Sequence, residues 1–173
     1  MIVLPRANWP RILHSAVLSG LITALGAPAF AGACRDDRIE LRGDWGTASF
    51  SIDVADDPDE RAQGLMNVPK MAASKGMLFV YEFPQRAAFW MRNTLIPLDM
   101  IFADETGTVT RVHANAVPLD ETPIPGGDDV LLVLEVNGGM AEAIGITEGS
   151  QIRHPSLDPH LAAWPCDPVP ATD

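Results

Sequence analysis

The stretch 89–102 (FWMRNTLIPLDMIF) sets polar and charged groups inside an otherwise apolar run. Taking an unpaired carboxylate or guanidinium out of water costs several kcal/mol, so Arg92 and Asp99 must either satisfy each other and the backbone or face a ligand. Arg61, in an acidic stretch upstream, and Glu135, in an apolar run downstream, are the natural further partners. On one reading Arg61, Arg92 and Asp99, with Glu135 as second anion, form a salt-bridge network that fixes the loop 93–97. On the other they line one pocket. Trp90 could stack on a sugar or another flat ligand; side chains alternate along a strand, so Phe89 then points the opposite way, into the core. Asn93 and Thr94 could touch the same ligand, but both are also turn residues whose side chains bond nearby backbone.

The chemistry open to this set is limited. A carboxylate with a perturbed pKa can act as general acid or base, which makes Asp99 and Glu135 the candidates for an enzymatic role. A serine nucleophile elbow, a metalloprotease histidine pair, a phosphate-binding glycine loop and a dinucleotide fingerprint are all missing, so no catalytic residue is assigned and no cofactor is expected. No metal site is expected either. Two distant cysteines with His113, His154 and His160 are too few close ligands, and Asp53, Asp56, Asp57, Asp59 and Glu60 lack the EF-hand spacing. Met66, Met71, Met77, Met91, Met100 and Met140 sit among Leu, Phe and Ile, the setting of packing methionines rather than of a thioether copper site.

The elements that must position these residues read as follows. Residues 48–54 (ASFSIDV) alternate apolar and polar without a break and form a strand with one wet face. Asp57 can cap a helix, Pro58 suits its first position, Glu60 completes a capping box and Gly64 ends it, so a short helix spans 58–63. Residues 77–81, 87–91, 98–103 and 108–115 read as strands of an antiparallel meander, in which 89–102 is a hairpin. The breaker-rich stretch 116–129 reads as a loop, 130–136 as a central strand buried on both faces, 140–144 as a helix ended by Gly145, and 151–154 as a last strand. The expected fold is α+β and β-rich: a small curved antiparallel sheet or partly closed barrel with two short helices.

Residues 61–66 (RAQGLM), 76–79 (GMLF), 89–94 (FWMRNT), 96–99 (IPLD) and 134–136 (LEV), then Gly138-Gly139 and Gly145-Ile146, together resemble the domain-of-unknown-function 192 family over about residues 45–154. The resemblance implies a compact β-rich fold and carries no activity, substrate or cofactor with it. The basic residue after Met91 is commonly lysine in that family and is Arg92 here; a guanidinium favours planar, bidentate partners such as a carboxylate.

Residues 1–31 read as a secretory signal peptide: Arg6 and Arg11 precede an apolar, acid-free stretch, and A-x-A sites end at Ala31 and Ala33. A permanent anchor needs about 20 apolar residues, more than this stretch supplies. The expected location is periplasmic or secreted. Residues 32–46 read as an N-terminal extension, 47–154 as one domain and 155–173 as an extended tail. The formal charge of −11, from 12 basic and 23 acidic residues, becomes −13 once Arg6 and Arg11 leave, which argues against nucleic acid and membrane partners. A monomer is expected. In an oxidising compartment Cys34 and Cys166 would pair, closing a loop worth about 4–5 kcal/mol in the chain-entropy model; the alternative is a lipid on Cys34.

These readings favour a binding module for a small polar or carbohydrate-like molecule, built on Arg61, Trp90, Arg92, Asn93, Thr94, Asp99 and Glu135. The alternatives are an envelope enzyme using carboxylate acid/base chemistry and a protein-interaction domain with an exposed apolar patch.

Overall fold

A computed structural model describes residues 34–166; the expected secretory segment lies outside them. Strands β1 (Arg38–Gly43), β2 (Gly46–Ala55), β3 (Lys75–Phe89), β4 (Leu98–Ala103), β5 (Val109–Ala116), β6 (Ile124–Asn137) and β7 (Gln151–Arg153) form one sheet, with helices α1 (Pro58–Gln63) and α2 (Met140–Ile144). In β2 the alternation buries Phe50 and Ile52 on one face. The cap of α1 is the expected one: Asp57 accepts from the Glu60 amide at 2.8 Å, and Gly64 follows at φ 47°. Glu60 reaches back one residue further than a standard capping box, to the Asp56 amide at 3.3 Å.

The strand order is β5-β4-β6-β3-β2-β1-β7, and the sheet curls into a half-barrel. Its two edges meet at one end. Thr108 bridges Gln151, the Val109 amide donates to the Ser150 carbonyl at 2.8 Å, and the Ile152 amide donates to the Gly107 carbonyl at 2.8 Å.

Several neighbour relations depart from the sequence expectation. β6 inserts between β3 and β4, so there is no meander, and 89–102 is not a hairpin. β2 and β3 pair in parallel, with α1 in the crossover between them, while the remaining pairs are antiparallel. The two strands read at 77–81 and 87–91 are one long β3, because the break at Glu82-Phe83-Pro84 is absorbed as a bulge between Val80 and Gln85. Proline lacks a ladder donor, which a bulge tolerates. β6 likewise begins at Ile124, inside the stretch read as loop, with irregular register up to Val130. β1 lies in the stretch read as an extension. Its Ile39-Glu40-Leu41-Arg42 alternation is short, yet it pairs with β2 on one side and β7 on the other.

Apolar side chains fill both faces. Ile39, Leu41, Ile52, Leu78, Ile101, Leu134 and Ile152 pack on one face, and Phe79, Met91, Met100, Phe102 and Val133 on the other. This two-sided burial explains why β4 and the 130–136 part of β6 are apolar runs interrupted only by Asp99 and Glu135.

Cys34 and Cys166 are joined, with Cα atoms 5.7 Å apart and a sequence separation of 132. The bridge ties the C-terminal segment beside β1 and β7, where Trp164 lies 4.6 Å from Arg42 and 4.7 Å from Arg153. Intact mass should rise by the hydrogens of both thiols on reduction, and a lipid-sized mass on Cys34 would overturn the pairing. Replacing both cysteines by serine should cost about 2–5 kcal/mol in urea unfolding without changing the far-UV spectrum.

Candidate functional site

Register assigns Glu135 to the face of Phe79 and Met100. On β6 it stands between Met77 of β3 and Met100 of β4, so its carboxyl emerges from an apolar surface. Only 4% of the residue is exposed. No donor among the described residues bonds its side chain, and among them no fully buried side-chain polar atom is left unsatisfied; its oxygens therefore open onto a cavity. Burial pushes its pKa up to about 8, so the group is mostly neutral at pH 7.

That cavity has a volume of about 110 Å3 and lies between α1, β3 and the segment 88–94. Leu65, Met66, Phe79 and Phe89 supply apolar wall, and Arg61, Tyr81, Trp90, Arg92 and Thr94 supply polar groups. Phe89 is core, as its alternation with Trp90 implies: its ring meets Phe79 edge-on at 5.0 Å and Phe102 at 5.8 Å. Trp90 is 47% exposed at the rim.

The two guanidiniums differ in their partners. Arg61 donates to the carbonyls of Asp56 and Val80 (2.9 Å) and to Glu82 at 2.9 Å, and it lies 5.4 Å from the Tyr81 ring. Its charge is therefore compensated and its position set. Arg92 lies over the Trp90 ring at 5.6 Å and, among the described residues, makes no ion pair. Backbone bonds hold its segment in place: the Met91 amide to the Asp120 carbonyl (2.8 Å), the Leu119 amide to the Thr94 carbonyl (3.1 Å) and the Asn67 amide to the Asn93 carbonyl (2.8 Å). Thr94 is buried and donates its hydroxyl to the Arg92 carbonyl at 3.3 Å.

Asn93 and Asp99 do not line this cavity. Asn93 is the turn itself, at φ 53°, with its side-chain amide 3.8 Å from the Met66 sulfur. Asp99 stands opposite Val136 while Glu135 stands opposite Met100, so the two carboxylates leave opposite faces of the sheet. Asp99, fully buried, accepts the amides of Asn115 (2.7 Å), Gly139 (3.0 Å) and Ala141 (2.7 Å). It supplies the N-terminal cap that α2 lacks locally, since Gly139 at the cap position has no side chain and sits at φ 83°. A network joining Arg61, Arg92, Asp99 and Glu135 is thus not formed. Asp99 is a clasp, Asn93 is a turn residue, and Arg61, Trp90, Arg92, Thr94 and Glu135 line the cavity.

Tyr81, Met66 and Phe79 belong to the cavity without having been singled out from the sequence, although 61–66 and 76–79 are among the shared segments. Four of the segments that made this chain resemble a known family, 61–66, 76–79, 89–94 and 134–136, contribute to the cavity, while 96–99 and Gly139 meet at the Asp99 clasp. A profile of the DUF192 family, described as "Uncharacterized ACR", matches residues 39–154. The chain belongs to this family. Among curated proteins none matches. A DUF192 chain of this kind is similar in structure to a protein of unknown function from Novosphingobium aromaticivorans DSM 12444, with 42% identity, TM-score 0.65, and coverage of 66% of this chain and 82% of that one. It is also similar to a putative transcription regulator from Sinorhizobium meliloti 1021, with 35% identity, TM-score 0.68, and coverage of 73% of this chain and 98% of that one.

Proposed function

We propose that this DUF192 chain is an exported, monomeric binding module that holds a small polar molecule in the cavity between α1 and the segment 88–94. The observation that carries this reading is the pair of groups in one cavity that are unspent among the described residues: the Glu135 carboxyl without a hydrogen bond, and the Arg92 guanidinium without an ion pair. Leaving a buried carboxyl unbonded costs the fold stability, and a ligand that bonds it recovers that cost. The backbone bonds around 91–94 position the groups beforehand, which lowers the ordering cost of binding. Export is supported by the apolar segment that precedes the domain and by the Cys34–Cys166 bridge. A net charge of −11 argues against a nucleic-acid-binding role for this chain, so the transcription-regulator description of the Sinorhizobium protein is not carried over to it.

Arg92→Ala tests the reading. It should leave the apo melting temperature within a degree or so of the parent, because an exposed residue without an ion pair contributes little to stability. It should abolish the thermal stabilisation conferred by small polar compounds. A variant that unfolds instead would make Arg92 structural.

Glu135 also favours a second reading, in which it acts as an acid/base catalyst on the bound molecule, since a carboxyl titrating near neutrality suits proton transfer. Turnover of a bound compound that Glu135→Gln abolishes while binding persists would establish it.

A further inference from the structure

The charges and walls of the cavity narrow the class of molecule. Arg61 and Arg92 are the basic residues lining it, and Glu135 is the acid. A cationic ligand would meet two guanidiniums. It would also find the aromatic faces suited to it already taken, since Arg61 lies 5.4 Å from the Tyr81 ring and Arg92 5.6 Å from the Trp90 ring. A neutral polyol would leave Arg92 without a counter-charge. A carboxylate satisfies both groups: its planar oxygens match the guanidinium fork, and the carboxyl of Glu135 can donate the one hydrogen bond it has to give. The remaining wall, Leu65, Met66, Phe79 and Phe89, is apolar and suits an alkyl tail, which inorganic phosphate lacks.

We propose that the cavity takes a small monocarboxylic acid, its carboxylate held between the Arg92 guanidinium and a Glu135 side chain acting as hydrogen-bond donor. The assignment rests on the binding reading above and names its ligand class. A ligand carboxylate beside the buried Glu135 carboxyl shares one proton with it, as paired carboxyls do when like charges cannot both ionise. No covalent step is involved; the proton stays on the Glu135–ligand pair.

Binding then depends on pH with a defined sign. The groups facing Glu135 are Arg61 from α1, Tyr81 from β3 and Arg92 from the segment that follows β3; on β5, His113 stands beyond Met100. Burial moves Tyr81 above its ordinary value of 10.0. Glu135 therefore governs the alkaline limb. Affinity should be level between about pH 6 and about pH 8, fall in stronger acid as the ligand carboxylate is protonated, and fall up to about tenfold per pH unit above about pH 8 as the donor proton is lost.

Calorimetric titration of the disulfide-intact chain tests this, with acetate, propionate and lactate as probes beside methylammonium, glycerol and inorganic phosphate, at about pH 6.5 and about pH 9. The carboxylates should bind at the lower pH and weaken by tenfold or so at the higher. Glu135→Gln keeps a donor in a neutral group, so it should retain binding and lose the pH dependence. Arg92→Gln should weaken binding about tenfold or more at both values. Methylammonium, glycerol or phosphate binding in place of the carboxylates would overturn the ligand class and leave the binding module standing. Binding of none of the probes would overturn the carboxylate class, and a cavity that also takes up no compound from a wider set of polar molecules would overturn the module as well.

Discussion

Asp99→Ala is expected to destabilise the domain by about 3–5 kcal/mol, which is a large part of the 5–15 kcal/mol that holds a typical domain folded. The alanine strands three backbone amides at once, those of Asn115, Gly139 and Ala141, of which the Ala141 bond is buried and the other two part-buried around the fully buried Asp99. Each buried donor left without an acceptor costs about 1–3 kcal/mol. The consequences extend beyond one hydrogen-bond set. Helix α2 loses its only side-chain cap, and β5 loses the anchor at Asn115, whose backbone lies in the left-handed region at φ 53°. Urea unfolding should show the loss as a lower midpoint with an unchanged m-value. Asp99→Asn keeps one acceptor oxygen and should recover part of the difference. A variant as stable as the parent would mean that water replaces the carboxylate, and the clasp would be dispensable.

Glu135→Gln should reverse sign in its effect on stability as pH rises. In the unfolded chain the group titrates near 4.5 and in the native fold near 8, so the native state holds the proton more tightly. Its favourable contribution is fully present below pH 4.5 and is lost as pH rises through 8, at about 1.4 kcal/mol per pH unit and about 5 kcal/mol in all. Glutamine mimics the protonated acid at every pH. The variant should match or fall slightly below the parent in acid and exceed it clearly at about pH 9. His154 works in the opposite direction, because burial lowers its pKa below 6.5 and stability falls as acid charges it. The parent-minus-variant difference cancels that term. A difference that does not vary with pH would place the Glu135 carboxyl in water.

Much of the architecture is legible in local patterns. Helix α1 runs from Pro58 to Gln63 because Asp57, Pro58 and Gly64 are start and stop signals that act within a few residues. Helix α2 ends at Gly145, at φ 95°, for the same reason. Strand β2 is readable from its alternation, and two-sided burial of the 130–136 part of β6 from an apolar run that only Glu135 interrupts. The neighbour order is not legible in this way. Nothing in 77–103 announces that β6, arriving later in the chain, inserts between β3 and β4, because apolar strands buried on both faces are interchangeable as far as periodicity goes. Nor does a bulge at Pro84 look different from the end of a strand.

The same division runs through the site. From its residues alone, the chain determined that Arg92, Asp99 and Glu135 are charged groups in apolar surroundings that need a physical reason, and it grouped them with Arg61 as one network or one pocket. Tertiary structure decided which reason applies to each. Asp99 and Glu135 sit on adjacent antiparallel strands, and a register offset by one residue sends them to opposite faces: one into three backbone amides, the other into a cavity where no described residue bonds it. That offset is a property of how β4 and β6 pair. Side chains alternate with a period of two, so only the pairing register separates the clasp from the cavity.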